Sequence, residues 1–556
     1  MSGGYQPEPD AATLSRRMII DDTPDTAVVA DICIVGSGPV GLALAFRCAR
    51  QGLAVTVLEA GYPVSSGHRA EVPAVELLNN HHVGAETAVM RALGGTANLW
   101  GGRCVRFDDI DFAPRGHVAH SGWPIAHAEL ASHYPEALRF LGCEPTESPA
   151  ETSDKTVDDR NTEWWSGSSD IAALHAEAIR DLPNLKIHTG CVARRLIIDP
   201  ASQRVTAIEV ERAGRIVRVA AGAFALAAGG LENTRLLLHT RRDRPDLFGG
   251  EDGPLGRFYC GHLTGYLAEI RFNDPRFART LWFQRQRAGG VSRRRLTLSS
   301  PVQRQQALLN TAFWLESYSI SDPAHGSGLL SSLYMAMKGL SVLPRVRTGL
   351  APTGTKQDAM AGHFANLRRS RIDLRACQGI VRQVLRRGVE GKTFALFNPE
   401  GRYLLRYHAE HAPNPDSRAI LSADGRLAVD LRFSHADLDS VVRSHMLLDD
   451  WLQAERIGTL RYLAPPDALV DHARAQALDG YHQIGLTRMA QDRSAGVVDG
   501  DCRAFDLCNL YLAGSSVFPT AGQANPTLPA VALALRLGDH VVARVRAPSA
   551  TPALAV

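Results

Sequence analysis

At 556 residues the chain is too long for one hydrophobic core, so two or more domains are expected. An apolar fraction of 45% and a charged fraction of 21% are those of a globular protein, and a formal net charge of +3 argues against nucleic acid or a membrane surface as the main partner. Nine cysteines are scattered without CxxC spacing, which favours buried reduced thiols over a disulfide frame or a metal site.

Residues 1–29 read as an N-terminal arm with one short strand near Met18-Ile19-Ile20. Arg16-Arg17 resembles the start of an export signal, but Asp21-Asp22 follows Ile20 at once and leaves no apolar core. The apolar run over 32–49 is broken by three glycines and a proline, and the one over 329–343 contains Lys338 and Gly339. No transmembrane segment is expected, and a cytoplasmic location is.

Ile32 to Val35 is a strand run, Gly36-Ser37-Gly38-Pro39-Val40-Gly41 follows, and Leu42 to Arg50 is helical. Gly36 permits a tight turn, Gly38 lets backbone approach a pyrophosphate, and Gly41 lets helix and strand pack closely. Pro39 suits a first helical position, and the helix N-terminus offers free N–H groups to phosphate. The next strand, Ala54 to Leu58, ends at Glu59, where a carboxylate can accept hydrogen bonds from an adenosine ribose and disfavours a 2′-phosphate.

Further along, residues 126–142 have helical periodicity, and 146–160 read as a polar surface loop. Ala213-Gly214 marks a hairpin turn. Phe224 to Ala228 is a buried-strand pattern that runs into Gly229-Gly230 and a helix. Residues 263–477 change character, with alternating strand-like runs and dense arginines. Arg285, Arg287, Arg293, Arg294, Arg295, Arg368, Arg369, Arg371, Arg382, Arg386 and Arg387 are expected to be mostly solvated. Residues 478–546 return to strand–loop–helix patterning. His81-His82 lacks supporting ligands and reads as a solvated loop rather than a metal site, and His262 reads as structural; no metal is expected.

Three stretches near the C-terminus complete the picture: Gly480-Tyr481-His482-Gln483-Ile484-Gly485, Asn509 to Pro519 with Gly514-Ser515, and Ala524-Asn525-Pro526-Thr527-Leu528-Pro529 before a helix. With the N-terminal glycine turn, with Arg91-Ala92-Leu93-Gly94-Gly95-Thr96-Ala97-Asn98-Leu99-Trp100-Gly101-Gly102, with Ala227 to Arg235 and with Pro413 to Arg418, they resemble the glucose–methanol–choline (GMC) oxidoreductases. The form with Asn525-Pro526-Thr527 is most similar to the pyranose oxidase branch and related bacterial sugar or glycoside oxidoreductases.

The resemblance implies an α/β, Rossmann-like FAD-binding domain (30–125, 182–262 and 478–546) and a substrate domain with an antiparallel β-sheet flanked by helices (126–181 and 263–477). It implies FAD held by Gly36, Ser37, Gly38, Gly41, Glu59, Arg91, Gly94, Gly95, Asn98, Val192, Gly514, Ser515, Asn525, Pro526 and Thr527. It implies His482 as the base and Asn525 as the group that orients the substrate oxygen. Covalent relatives attach flavin through a histidine at the position of Leu99, so non-covalent FAD is expected. The implied reaction removes a hydride from the CH–OH group of a sugar, glycoside or polyol; the alternative is a non-sugar alcohol such as a sterol or a natural-product intermediate. The residues do not choose between oxygen, a quinone and a redox protein as electron acceptor.

Overall fold

The computed structural model describes residues 28–144, 155–285, 290–339, 356–369 and 397–546. Strand β1 (Val28–Val35) carries Ile32-Cys33-Ile34 with no exposure at all. A strand buried on both faces belongs inside a parallel sheet covered on both sides. After β1 come helix α1 (Pro39–Arg50), β2 (Val55–Leu58), β3 (Leu185–His188), β4 (Val192–Asp199), β5 (Arg204–Arg212), β6 (Arg215–Leu226) and helix α2 (Gly230–Asp243). The sheet order is β3-β2-β1-β6-β5-β4. Pairing is parallel from β3 to β6 and antiparallel from β6 to β4. The β5–β6 hairpin turns at Ala213 (φ 48°) and Gly214 (φ 76°), two left-handed residues, as tight hairpins of this hand require.

The second sheet is antiparallel throughout. It uses β7 (His262–Phe272), β8 (Leu296–Leu298), β9 (Thr311–Glu316), β10 (Arg402–Glu410) and β11 (Gly458–Tyr462), in the order β11-β7-β10-β9-β8, with residues 157–158 on the far edge. Helix α3 (His435–Ala454), between β10 and β11 in the chain, lays Val441, Leu448 and Leu452 on one face of this sheet, against Ile270, Phe313 and Tyr407. The chain then returns to the first sheet. Strand β12 (Leu510–Leu512) pairs in parallel with the end of β6, and helix α4 (Thr527–Arg546) packs on α1.

Residues 126–142 form two short helices, His127–Ala131 and Tyr134–Phe140, because Pro135 restarts the helix in a new first turn. Both pack on α4, and Leu130, Leu138 and Leu141 lie in the first core. Within the polar stretch expected to be a loop, Val157–Asp158 pairs with β8. The N-terminal strand expected at Met18-Ile19-Ile20 and five of the arginines (Arg287, Arg371, Arg382, Arg386, Arg387) lie outside the described residues. Among the described residues no helix is long and apolar enough to cross a membrane.

Candidate active site

A cavity of about 470 Å³ runs from the end of β1 to the start of α4, within the range of ligand sites. At one end lies the glycine turn. Gly36 has φ +102°, and a Cβ there would sit 2.5 Å from the Ala227 carbonyl; a Cβ on Gly41 would sit 2.0 Å from the Gly36 carbonyl oxygen. Both glycines are required by backbone packing. Gly38 differs: a Cβ there would meet nothing nearer than the Gly95 Cα at 4.0 Å, and it lines the cavity. Its bare backbone is therefore open to a ligand, beside the N-terminus of α1, where donors and dipole favour phosphate.

Glu59 lines the same end. Its Oε2 accepts from the Ser37 backbone N–H (3.0 Å) and hydroxyl (2.7 Å), and its Oε1 accepts from Gly61 N–H (2.7 Å). Burial pushes this carboxyl up, against those hydrogen bonds. Oε1, with one bond accepted, still has accepting capacity for a ribose hydroxyl. Ser37 is fully buried and acts beneath the cavity, donating to Glu59 and accepting from Gly94 N–H at 3.3 Å.

The loop at 91–102 crosses the cavity. Gly95 (φ +63°) lines it, and Asn98 ties the loop down through Nδ2–H bonds to the Leu93 and Gly95 carbonyls at 3.1 and 2.9 Å. Gly94 and Asn98 brace the loop, while Arg91, Leu99 and Trp100 line the cavity. Arg91 is held by Glu232 at 2.8 Å. Val192, Gly514, Ser515, Pro526 and Thr527 also line it. Gly514 (φ +120°) faces empty space where a Cβ would stand. Bare glycine backbone at Gly38 and Gly514, the start of α4, and two buried polar atoms without partners, Trp100 Nε1 and Asn525 Oδ1, are a donor and acceptor set that fits a dinucleotide carrying a flat ring system.

At the other end His482 and Asn525 meet, with Asn525 Nδ2 3.2 Å from His482 Nε2. They come from separate elements. His482 sits on the loop after Gly480, whose φ of +122° and close approach to the His82 ring exclude a side chain. Asn525 precedes Pro526 at the N-terminal edge of α4. Asp479, buried, accepts through Oδ2 from His482 Nδ1 at 3.1 Å.

Two histidines join from the second sheet. His262 Nδ1 lies 3.0 Å from His482 Nδ1. His408 stacks on His262 with centroids 4.1 Å apart and planes at 22°, and donates from Nδ1 to the Gln523 carbonyl at 2.9 Å. Burial first, and the neighbouring imidazoles second, hold His262 down to about 3 and His408 well below the usual histidine value. Ring nitrogens of His262, His408 and His482 fall within 4.8 Å of one another. Imidazole lone pairs lie in the ring plane, and two stacked rings cannot aim theirs at one ion, so the cluster is a hydrogen-bonded network rather than a metal centre.

Two sequence expectations are corrected here, and a third gains detail: His262, read as structural, is buried and contacts His482. Its signal was unreadable because cross-strand pairing of β7 with β10 (Thr264 opposite His408) is what brings it in. His82 is not on a solvated loop: it is buried, with Nε2 2.8 Å from the Tyr259 hydroxyl, and the Asp479 N–H donates to the His81 carbonyl. Arg293 and Arg295 are buried rather than solvated, because the wholly buried Glu163 draws Arg103, Arg293 and Arg295 around it. Burial of a charge demands such pairing. Arg103, from this group, reaches the cavity and lies over Trp314 at 4.3 Å. Asp479 was overlooked, although its position three residues before His482 was visible in the chain.

Residues 31–247 match the FAD binding domain family, and residues 422–534 match the family described as GMC oxidoreductase. The chain thus joins an FAD-binding domain to a GMC oxidoreductase C-terminal domain. Paromamine 6'-oxidase of Streptomyces fradiae is 24% identical over 597 residues, covering 94% of this chain and 92% of that protein. C-glycoside 3-oxidase of Arthrobacter globiformis is 45% identical over a short stretch of 56 residues, 10% of this chain and 11% of that protein. A fungal aryl-alcohol oxidase structure superposes with a TM-score of 0.52 at 14% identity, over 93% of this chain and 99% of that one, which shows the shared fold. The protein is thus an FAD-dependent oxidoreductase of CH–OH donors, with an FAD-binding domain and a substrate domain built on an antiparallel sheet.

Proposed function

We propose that the enzyme oxidises a hydroxyl of a sugar or glycoside, with His482 as base and Asn525 orienting the substrate oxygen. The observation that carries this reading is the convergence of His482 Nε2 and Asn525 Nδ2 at 3.2 Å at one end of the cavity. When bound, FAD supplies the hydride acceptor. Gly36, Gly38 and the start of α1 would hold its phosphates, Glu59 its ribose, and Gly95, Gly514, Ser515 and Thr527 its remaining length. A substrate hydroxyl entering between the two side chains gives its proton to His482 Nε2, while the Asn525 amide donates to the same oxygen and fixes the carbon that loses hydride. Paromamine and C-glycosides, named for the relatives, support a carbohydrate over a sterol-like alcohol.

Leu99 has a hydrocarbon side chain, exposed to 52%, on the cavity wall. It offers no atom to bond a flavin, which supports non-covalent FAD. Denaturation should release all the flavin into the supernatant; colour that stays with the precipitate overturns this. The domain boundary we propose runs within 126–181, with the helices up to 144 on the FAD-binding side and the strands from 157 on the substrate side.

Anaerobic mixing with paromamine, neutral pyranoses, C-glycosides and non-sugar alcohols tests the reaction. Bleaching by carbohydrates is expected, and bleaching by non-sugar alcohols alone would defeat the substrate assignment. Reoxidation by air, a quinone or a dye then sorts the electron acceptors.

A further inference from the structure

Asp479 is buried at the base of the site, does not itself line the cavity and has no part in the chemistry described so far. Its own orientation is fixed by backbone. Oδ2 accepts from His262 N–H at 2.6 Å, and Oδ1 accepts from Tyr481 N–H at 2.9 Å and His482 N–H at 3.3 Å. The same Oδ2 reaches His482 Nδ1 at 3.1 Å. An ionised carboxylate can only accept, so His482 must carry its proton on Nδ1. On the opposite edge of the ring, the Asn525 amide nitrogen can only donate, so His482 Nε2 must present a lone pair. Asp479 and Asn525 favour the same tautomer from opposite edges of the ring, and His262 Nδ1, 3.0 Å from the same His482 Nδ1, fits it by accepting.

We propose that Asp479 is the positioning residue that holds His482 in the Nδ1–H tautomer and stabilises the imidazolium formed when the substrate hydroxyl gives up its proton. This rests on the reading of His482 as the base. The step balances: the alcohol O–H proton passes to His482 Nε2, FAD when bound would take up the C–H hydride with its electron pair, and a carbonyl is left. The positive charge that appears on His482 then lies against a carboxylate already in place, with no solvent to reorganise. Asp479, His262 and His408 are the titratable groups facing His482. Burial pushes the Asp479 carboxyl up, but His482, His262 and their hydrogen bonds outweigh it and hold it at about 2. His262 and His408 stay neutral, so neither competes for the carboxylate as a cation.

The test uses the holoenzyme labelled with ¹⁵N-histidine, with the His482 signal among the twenty histidines identified by its loss in His482→Gln. In the wild-type protein His482 should be protonated at Nδ1 and unprotonated at Nε2. An Nε2–H tautomer there overturns the proposal without any variant. In Asp479→Asn the Nε2–H form should grow, and the imidazole should titrate at lower pH, because the imidazolium has lost its counter-charge. The acid limb of kcat/KM with paromamine or D-glucose should move down in pH with it, and kcat should fall on the order of 10²-fold or more with KM unchanged. An unchanged tautomer and titration in Asp479→Asn also overturn it, since a carboxylate that only braces the loop would leave both in place. His482→Ala separates the two ideas. Undiminished flavin reduction in His482→Ala sinks the base assignment. Loss of reduction there beside an unaltered Asp479→Asn sinks only the role of Asp479. Asp479→Asn added to His482→Ala should cost nothing further, as expected for a residue that acts through another.

Discussion

The two ends of the cavity are built by opposite means. The nucleotide end is made of backbone and of what is missing from it. Gly36, Gly38 and Gly41 lie within six residues, and the neighbouring elements β1, α1 and β2 are consecutive in the chain. The imidazole end is made of side chains from four distant places: His262, His408, Asp479 with His482, and Asn525. At the first end a local stretch of chain suffices. At the second, function depends on two sheets and a helix arriving together. A lost side chain and an added one therefore have opposite consequences at the two ends.

Addition at the nucleotide end should have the largest effect. Gly38→Leu places its side chain in the cavity, with no backbone atom nearer to the new Cβ than 4.0 Å. The variant should fold, show an apo-protein melting temperature like that of the wild type, and purify without flavin. A yellow, active Gly38→Leu would break the contrast.

Deletion at the imidazole end should spare the flavin and remove the chemistry. His482→Ala should retain its flavin absorbance and lose about 10²- to 10⁴-fold in the rate of flavin reduction. Asn525→Ala should lose less, about 10-fold, as expected for one neutral hydrogen bond. Stopped-flow reduction under anaerobic conditions measures both, and equal losses in the two variants would contradict the division of roles.

Acid should find the imidazole end first. His262 is held at about 3 in the folded protein, below the ordinary 6.5 it regains on unfolding. The unfolded chain therefore binds the extra proton more readily. The contribution to stability is complete above pH 6.5 and drains away as pH falls toward 3, by on the order of a few kcal/mol. His325 behaves in the same way, held at about 3 by burial and the neighbouring His363. Melting temperature should fall steadily from pH 6.5 to 3.5. His262→Gln should flatten that slope, and an identical slope in this variant would show that the histidine network does not govern it.

Reading the chain alone marked out the glycine turn at one end of the cavity, because each requirement there is local. A tight turn, a close approach and a helix start must follow one another within a few positions, and β-branched runs mark the strands around them. The pairing of His482 with Asn525 was legible only through likeness to a family, since nothing in the spacing of 43 residues makes two side chains meet. The density of arginines was legible, but their fate was not. Glu163 lies on a short strand far away in sequence, and its buried carboxylate draws Arg293 and Arg295 inward.

The sequence by itself determined the Rossmann-like turn, the acid at Glu59, the hairpin at Ala213-Gly214 and the strand–helix order around the glycine turn, all set by contacts between near neighbours. Only the tertiary structure decided that His262 and His408 stack across paired strands and that Asp479 sits beneath His482. The stacking depends on the register of β7 against β10, and the meeting of His262 with the Asp479–His482 loop on how that loop sits against the second sheet; both are settled by burial of the whole rather than by any stretch of chain.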